Sequence, residues 1–269
     1  MHRRPTALAA LSIPLLLAGG CASTDAPSPA AAPVSAADAR VAAIEAAHGG
    51  HLYNAKPAVF ADMAVEFGPM LLMGDMTFTP SLGRVNMNLK EAGTILYDNG
   101  ESWIWPADAA VPGPPPRFHV LTWPYFVAAP FKLDDPGATA SDAGVLAVTG
   151  PSDKRPGTKI GFDAGVGDAP DDWYIAFTDK KGRMDALGYI VTYGKPKAEA
   201  EKKPSMILYS DFVNVDGVEF ATTWDFYFWD PAKGVGDRKG TAKLANIRFV
   251  QPTAATFAKN PSAVEVGTP

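Results

Sequence analysis

The chain holds a single cysteine, Cys21, in 269 residues. That excludes an internal disulfide and a thiolate zinc cluster. Four histidines leave little material for a histidine metal centre. Positive charge is scarce too: 24 Lys and Arg stand against 29 Asp and Glu, a net charge of −5, with no basic stripe. A nucleic-acid surface needs such a stripe, so no nucleic-acid partner is expected. No Gly-x-Ser-x-Gly elbow and no His-Glu-x-x-His helix occurs. No apolar run reaches the roughly 20 residues that span a bilayer, and no internal repeat is visible. These absences leave no catalytic residue, no metal and no cofactor to nominate, and the expectation is a protein that is not an enzyme.

What is present describes a folded protein. Hydrophobic residues make up 47% and charged residues 20%, the balance of an ordinary globular chain rather than a disordered one. Glycine and proline, 25 each, are frequent but short of low complexity.

The first residues read as an address. Arg3 and Arg4 precede an apolar stretch from Ala7 to Leu17, then Ala18-Gly19-Gly20-Cys21. A basic start, a short apolar run and small residues before a cut site make a secretory signal peptide, residues 1–20. The cysteine at the cut resembles a bacterial lipobox, with Ala18 where Leu is usual. It makes Cys21 the expected lipid anchor, and multiple acyl chains make such anchoring stable. Ala22 and Ser23, with no Asp after the cysteine, resemble an outer-membrane address facing the periplasm. Residues 21–36 are small and proline-rich, a semi-extended tether.

Ala36–His48 has helical spacing, with Ala37, Val41, Ile44 and His48 on one face and Gly49-Gly50 as the stop. Beyond it the period changes to two. Val85, Met87 and Leu89 alternate with polar neighbours. Trp173, Ile175 and Phe177 share a face, as do Leu187, Tyr189, Val191 and Tyr193, Leu208 and Phe212, and Trp224, Phe226 and Phe228. Segments 58–67, 70–79, 83–90, 93–98, 101–105, 144–150, 157–163, 172–178, 184–193, 205–214, 218–229 and 240–250 qualify, and about eleven strands are expected of these twelve. Turn pairs such as Gly68-Pro69, Asn99-Gly100 and Asp216-Gly217 join them as hairpins, so the sheet is antiparallel. Residues 117–133 interrupt the alternation with an aromatic helical pattern, broken or kinked at Pro124. One domain is expected over 37–252, with a loose tail over 253–269. The fold class is mainly β (α+β): a single curved antiparallel sheet forming an open half-barrel, with an N-terminal helix and a short helical lid on its concave side.

Polar candidates are few. His48 reads as a packed histidine near a helix C-terminus, where the dipole favours its charge; a base, or a metal pair with His51, is the alternative. His119 reads as a solvent-facing residue. The Gly161–Gly167 run, with Asp163, Asp168, Asp171 and Asp172 nearby, reads as a solvated turn rather than a calcium loop, because the ligand spacing is irregular. Lys195–Lys203 reads as a solvated hairpin loop. Met70-Leu71-Leu72-Met73 suits either an exposed apolar loop or the start of a strand.

The segment Tyr97-Asp98-Asn99-Gly100-Glu101-Ser102-Trp103-Ile104-Trp105-Pro106 resembles the Tyr-Asp-Gly…Trp-aromatic-Pro hairpin of the LolA/LolB-like lipoprotein-carrier superfamily. Ala47–Gly50, Asp171–Phe177 and Tyr209–Val218 extend the likeness over most of the chain after the tether. The resemblance implies an unclosed barrel of about eleven strands, a helical lid, a hydrophobic cavity for acyl chains and no catalytic residues. On it rests the expected cavity and lid set: Trp103, Trp105, Phe118, Leu121, Trp123, Tyr125, Phe126, Phe131, Tyr189, Phe212, Trp224, Phe226 and Phe228. The expected partners are an apolar small molecule or lipid and, through the anchor, a membrane; protein partners are not legible. The alternative is a scaffold lipoprotein whose core is filled by its own side chains.

Overall fold

The computed structural model describes residues 35–267, so the signal peptide, the Cys21 anchor and nearly all of the tether lie outside the described residues. Helix α1 (Ala36–His48) starts at Ser35, whose Oγ accepts from the Asp38 amide at 3.1 Å, a cap worth about 1 kcal/mol. Ala37, Val41, Ile44 and His48 form its buried stripe. Gly49 ends it at φ +79°, and a Cβ there would lie 2.3 Å from the Gly217 carbonyl oxygen. Glycine is therefore required twice over, for conformation and for space. A short helix α2 (Gly50–Asn54) follows.

Strands occupy all twelve segments that alternation marks. They are β1 (Val59–Phe67), β2 (Met70–Phe78), β3 (Arg84–Leu89), β4 (Gly93–Asp98), β5 (Glu101–Trp105), β6 (Ala138–Ala147), β7 (Lys154–Phe162), β8 (Tyr174–Thr178), β9 (Met184–Tyr189), β10 (Ser205–Val215), β11 (Val218–Asp230) and β12 (Gly234–Phe249). A thirteenth, β13 (Val264–Glu265), lies beyond them. The order is β13-β5-β4-β3-β2-β1-β12-β11-β10-β9-β8-β7-β6, antiparallel throughout. The sheet does not close: β13 and β6 are free edges, and the architecture is an open half-barrel. Asn99-Gly100 and Asp216-Gly217 each have two positive φ values, the geometry that lets a two-residue turn follow the twist of a hairpin.

Helix α3 (Pro116–Ala128) and a 3-10 turn, Ala129–Phe131, come from the insertion between β5 and β6. The helix runs on through Pro124 instead of splitting in two. Its buried residues join α1 and the inward side chains of the sheet in one core: Val59, Ala61 and Met63 of β1, Met76 and Phe78 of β2, Met87 of β3, and Trp224 and Phe226 of β11 among them. The connection after β9 contains a single helical turn, α4 (Lys197–Ala200), within the run expected as a hairpin loop. Met70–Met73 is strand, and Leu71 and Met73 are exposed.

Two expectations change. Residues 253–267 are not loose. Phe257 is buried against Leu96 and Trp103, the Asn86 side-chain amide donates to the Thr256 carbonyl at 2.7 Å, and β13 pairs with β5. Leu96 and Trp103 point away from the helices and need a cover, which the C-terminal segment supplies. Second, Leu208 and Phe212 do not share a face. Leu208 packs with Trp173 and Trp229 on one side, Phe212 with the helix-bearing core on the other. Asp211 between them takes φ +53° and breaks the alternation.

Candidate functional site

Helix α3 divides its side chains between a core and a cavity. Trp123 meets Phe226 edge-on at 6.1 Å, and Phe126 meets Tyr189 at 5.3 Å and Trp224 at 6.5 Å. The Tyr209 hydroxyl donates to the Phe126 carbonyl at 3.3 Å. The other flank, Phe118, Leu121, Thr122 and Tyr125, lines a cavity of about 420 Å³, within the roughly 300–1,000 Å³ of small-molecule sites. Val85 and Tyr97 of β3 and β4 form one wall, Phe162 and Tyr174 of β7 and β8 another. The helix thus lies across the gap between the two wings of the sheet, and the cavity lies beneath it.

Polar groups gather at the cavity in a definite pattern. The buried Lys132 ammonium holds Asp135, with Nζ 3.1 and 3.2 Å from the two carboxylate oxygens. Arg117, at the start of α3, donates to both oxygens of Asp168, and its Nη1 donates to the Gly100 carbonyl at 2.8 Å and to Ser102 Oγ at 3.1 Å. The hydrogen bonds from Arg117 to Asp168 raise the guanidinium further. Asp172 accepts from the Thr192 amide at 2.6 Å and the Thr192 hydroxyl at 2.7 Å, both on Oδ1; burial raises its carboxyl. The hydroxyls of Tyr125 and Tyr193 are buried at the cavity and have no hydrogen-bond partner among the described residues.

The two buried histidines are structural. Trp123 Nε1 donates to His119 Nδ1 at 3.0 Å, which leaves His119 Nε2–H to donate to the Pro112 carbonyl at 3.0 Å. His119 is therefore neutral, and burial pushes it down to about 4; it does not face solvent. His48 Nε2 accepts from the Met184 amide and its Nδ1–H donates to the Glu219 carbonyl, both at 2.9 Å. Burial lowers it as well, overriding the helix dipole. Neither ring has a nitrogen free to act as a base. Among the described residues, no group of three or more His, Cys, Asp or Glu is placed to hold a metal.

Of the expected cavity set, Phe118, Leu121, Tyr125 and Phe126 reach the cavity. Trp123, Tyr189, Trp224 and Phe226 pack around the Phe126 ring in the core below. Phe131 stacks on Tyr53 at 3.9 Å, and Phe212 lies over His48 and Arg183. Phe228 is exposed. Trp103 and Trp105 face the opposite side of the sheet, with Phe257. Tyr97, Phe162 and Tyr174 line the cavity without having been anticipated. Tyr174 alternates with Trp173 and Ile175, and only the latter pair signalled burial; in fact both faces of that strand are covered.

No protein-family model matches the sequence, and no curated protein matches it. Solved structures do match the fold. A DUF1329 family protein from Desulfovibrio piger superposes with a TM-score of 0.50 at 12% identity, over 81% of this chain and 96% of that one. A LolA superfamily protein from Nitrosomonas europaea superposes with a TM-score of 0.52 at 8% identity, over 84% and 99%. At such identities the likeness is one of architecture, and it agrees with the hairpin resemblance in the sequence: the chain has the LolA-like half-barrel fold.

Proposed function

We propose that this chain is a bacterial envelope lipoprotein, tethered to the outer membrane through Cys21, that buries an acyl chain or similar apolar ligand beneath α3 and serves lipid or lipoprotein transport. The observation that carries the reading is the 420 Å³ cavity, walled by Phe118, Leu121, Tyr125, Phe162 and Tyr174, that the core leaves unfilled. Burial of apolar area supplies the affinity, about 0.8 kcal/mol for each methylene. The mutual packing of Trp123, Phe126, Trp224 and Phe226 favours the self-filled scaffold for the lower core only.

The test is a chain-length series. Octanol, decanol and dodecanol are titrated into the full chain carrying Cys21→Ser, so that no acyl group of its own competes. Affinity is expected to rise roughly tenfold for every two methylenes until the cavity is full. Absence of binding by every member contradicts the proposal.

A further inference from the structure

Among the described residues, the charges that line the cavity are held in ion pairs with one exception. Lys132 neutralises Asp135, and Arg117 neutralises Asp168. Asp172 has no Lys or Arg nitrogen within 4 Å among the described residues, and the hydrogen bonds it accepts from Thr192 both end on Oδ1. Its Oδ2 has no hydrogen-bond partner among the described residues, and the residue lines the cavity. Two further polar atoms there are without partners, the buried hydroxyls of Tyr125 and Tyr193. Aromatic rings surround the same space: Tyr125 lies 5.2 Å from Tyr174, and Phe118 lies 5.3 Å from Tyr193.

We infer that the cavity takes an amphiphile with a cationic head, an alkylammonium, whose N–H groups donate to Asp172 Oδ2 while its tail lies between α3 and the sheet. This rests on the cavity reading proposed above and names the head group. Each part of the arrangement suits it. A half-buried carboxylate with no cation in contact is poorly compensated, and a ligand ammonium supplies the missing charge. The Tyr174 and Tyr125 rings offer faces that attract a cation. The orphaned phenol oxygens can accept a second ammonium proton. An anionic head such as a fatty carboxylate would instead meet an unbalanced negative charge at close range. Burial raises the Asp172 carboxyl; Lys195, too far away to pair with it, offsets that only in part, and Asp171 adds to it.

The experiment compares three ligands of one chain length, dodecylamine, dodecanol and dodecanoate, each below its critical micelle concentration, on the full chain carrying Cys21→Ser. The amine is expected to bind about tenfold or more tighter than the alcohol, and the carboxylate more weakly than the alcohol. Asp172→Asn keeps an oxygen for the Thr192 donors and removes the charge. It is expected to level the amine with the alcohol. Equal binding of amine and alcohol to the unsubstituted site overturns the inference and leaves the cavity reading intact, and this comparison needs no Asp172 variant to fold. A preference that survives Asp172→Asn also overturns it. Failure of all three ligands to bind overturns both.

Discussion

Arg117 grips Asp168 with a two-pronged pair, Nε to Oδ2 at 2.5 Å and Nη2 to Oδ1 at 2.8 Å. Arg117 is buried and Asp168 partly so, with the side chains 5% and 15% exposed. One end is the roof helix α3; the other is the loop between β7 and β8. Because Arg117 also donates to Gly100 and Ser102, it ties that loop to the β4–β5 hairpin. The two wings of an open sheet are thereby joined across the cavity by one side chain. Removing one partner of a buried pair leaves the other charge unpaired, which costs on the order of 3 kcal/mol. Asp168→Asn is expected to lower the denaturant midpoint accordingly, and Arg117→Met to do the same. A midpoint unchanged by either variant would show that the pair is not holding the wings.

The buried histidines set a pH dependence. His119 is neutral in the folded state, with a value near 4, against 6.5 for the free group. Between those values the unfolded chain binds a proton that the folded chain refuses, so stability falls as the pH drops from 6.5 towards 4. The loss is on the order of 3 kcal/mol from His119, and His48 acts in the same direction. Glu45 opposes it: burial, then its hydrogen bond with Asp134, lift it to about 7, so its contribution weakens as pH rises towards 7. The difference between the parent and His119→Gln cancels the other groups. Unfolding free energies measured at pH 7, 5.5 and 4 are expected to converge for the two proteins as the pH falls. Parallel curves would contradict the neutral assignment.

The C-terminal segment contributes to stability, not to the cavity. Phe257 fills a site made by Leu96 and Trp103 on the convex face. Phe257→Ala is expected to cost about 3–5 kcal/mol, the usual range for a buried phenylalanine, while dodecanol binding by the folded fraction stays unchanged. Thermal unfolding and ligand titration on the same variant separate the two effects.

Gly74 of β2 faces the β3 backbone with no room for a side chain. A Cβ there would lie 2.0 Å from the Asn88 carbonyl oxygen, which is backbone and cannot swing aside. Gly74→Ala is expected to destabilise the protein by about 1–3 kcal/mol through strain and to speed amide exchange in β2 and β3, which the paired register Gly74–Leu89 links.

Much of the fold was legible because β alternation is local. Val85, Met87 and Leu89 announce a strand with one covered face whatever lies above it, and Asn99-Gly100 announces the turn between β4 and β5. Alternation does not say which face is the concave one. Trp103 and Ile104 are equally apolar neighbours, and the family resemblance points to Trp103 for the cavity, whereas Ile104 faces the helices and Trp103 faces the C-terminal segment. The tail carries little local signal: its apolar residues are sparse, and only the tryptophan it covers reveals its place. The polar part of the site was not legible at all. Arg117 and Asp168 are 51 residues apart, and Asp172 is one of several aspartates in a glycine-rich stretch. Nothing local marks the one whose second oxygen is left without a partner.

The most direct measurement is native mass spectrometry of the full chain carrying Cys21→Ser, purified from a bacterial periplasm, followed by organic extraction of whatever it carries. A stoichiometric apolar ligand is expected. It should be lost from Leu121→Trp, which fills the cavity from α3, and kept by Phe228→Ser, which alters an exposed ring outside it. A bare protein mass that takes up no added dodecanol, or a ligand that survives Leu121→Trp, would contradict the placement of a lipid beneath the helix.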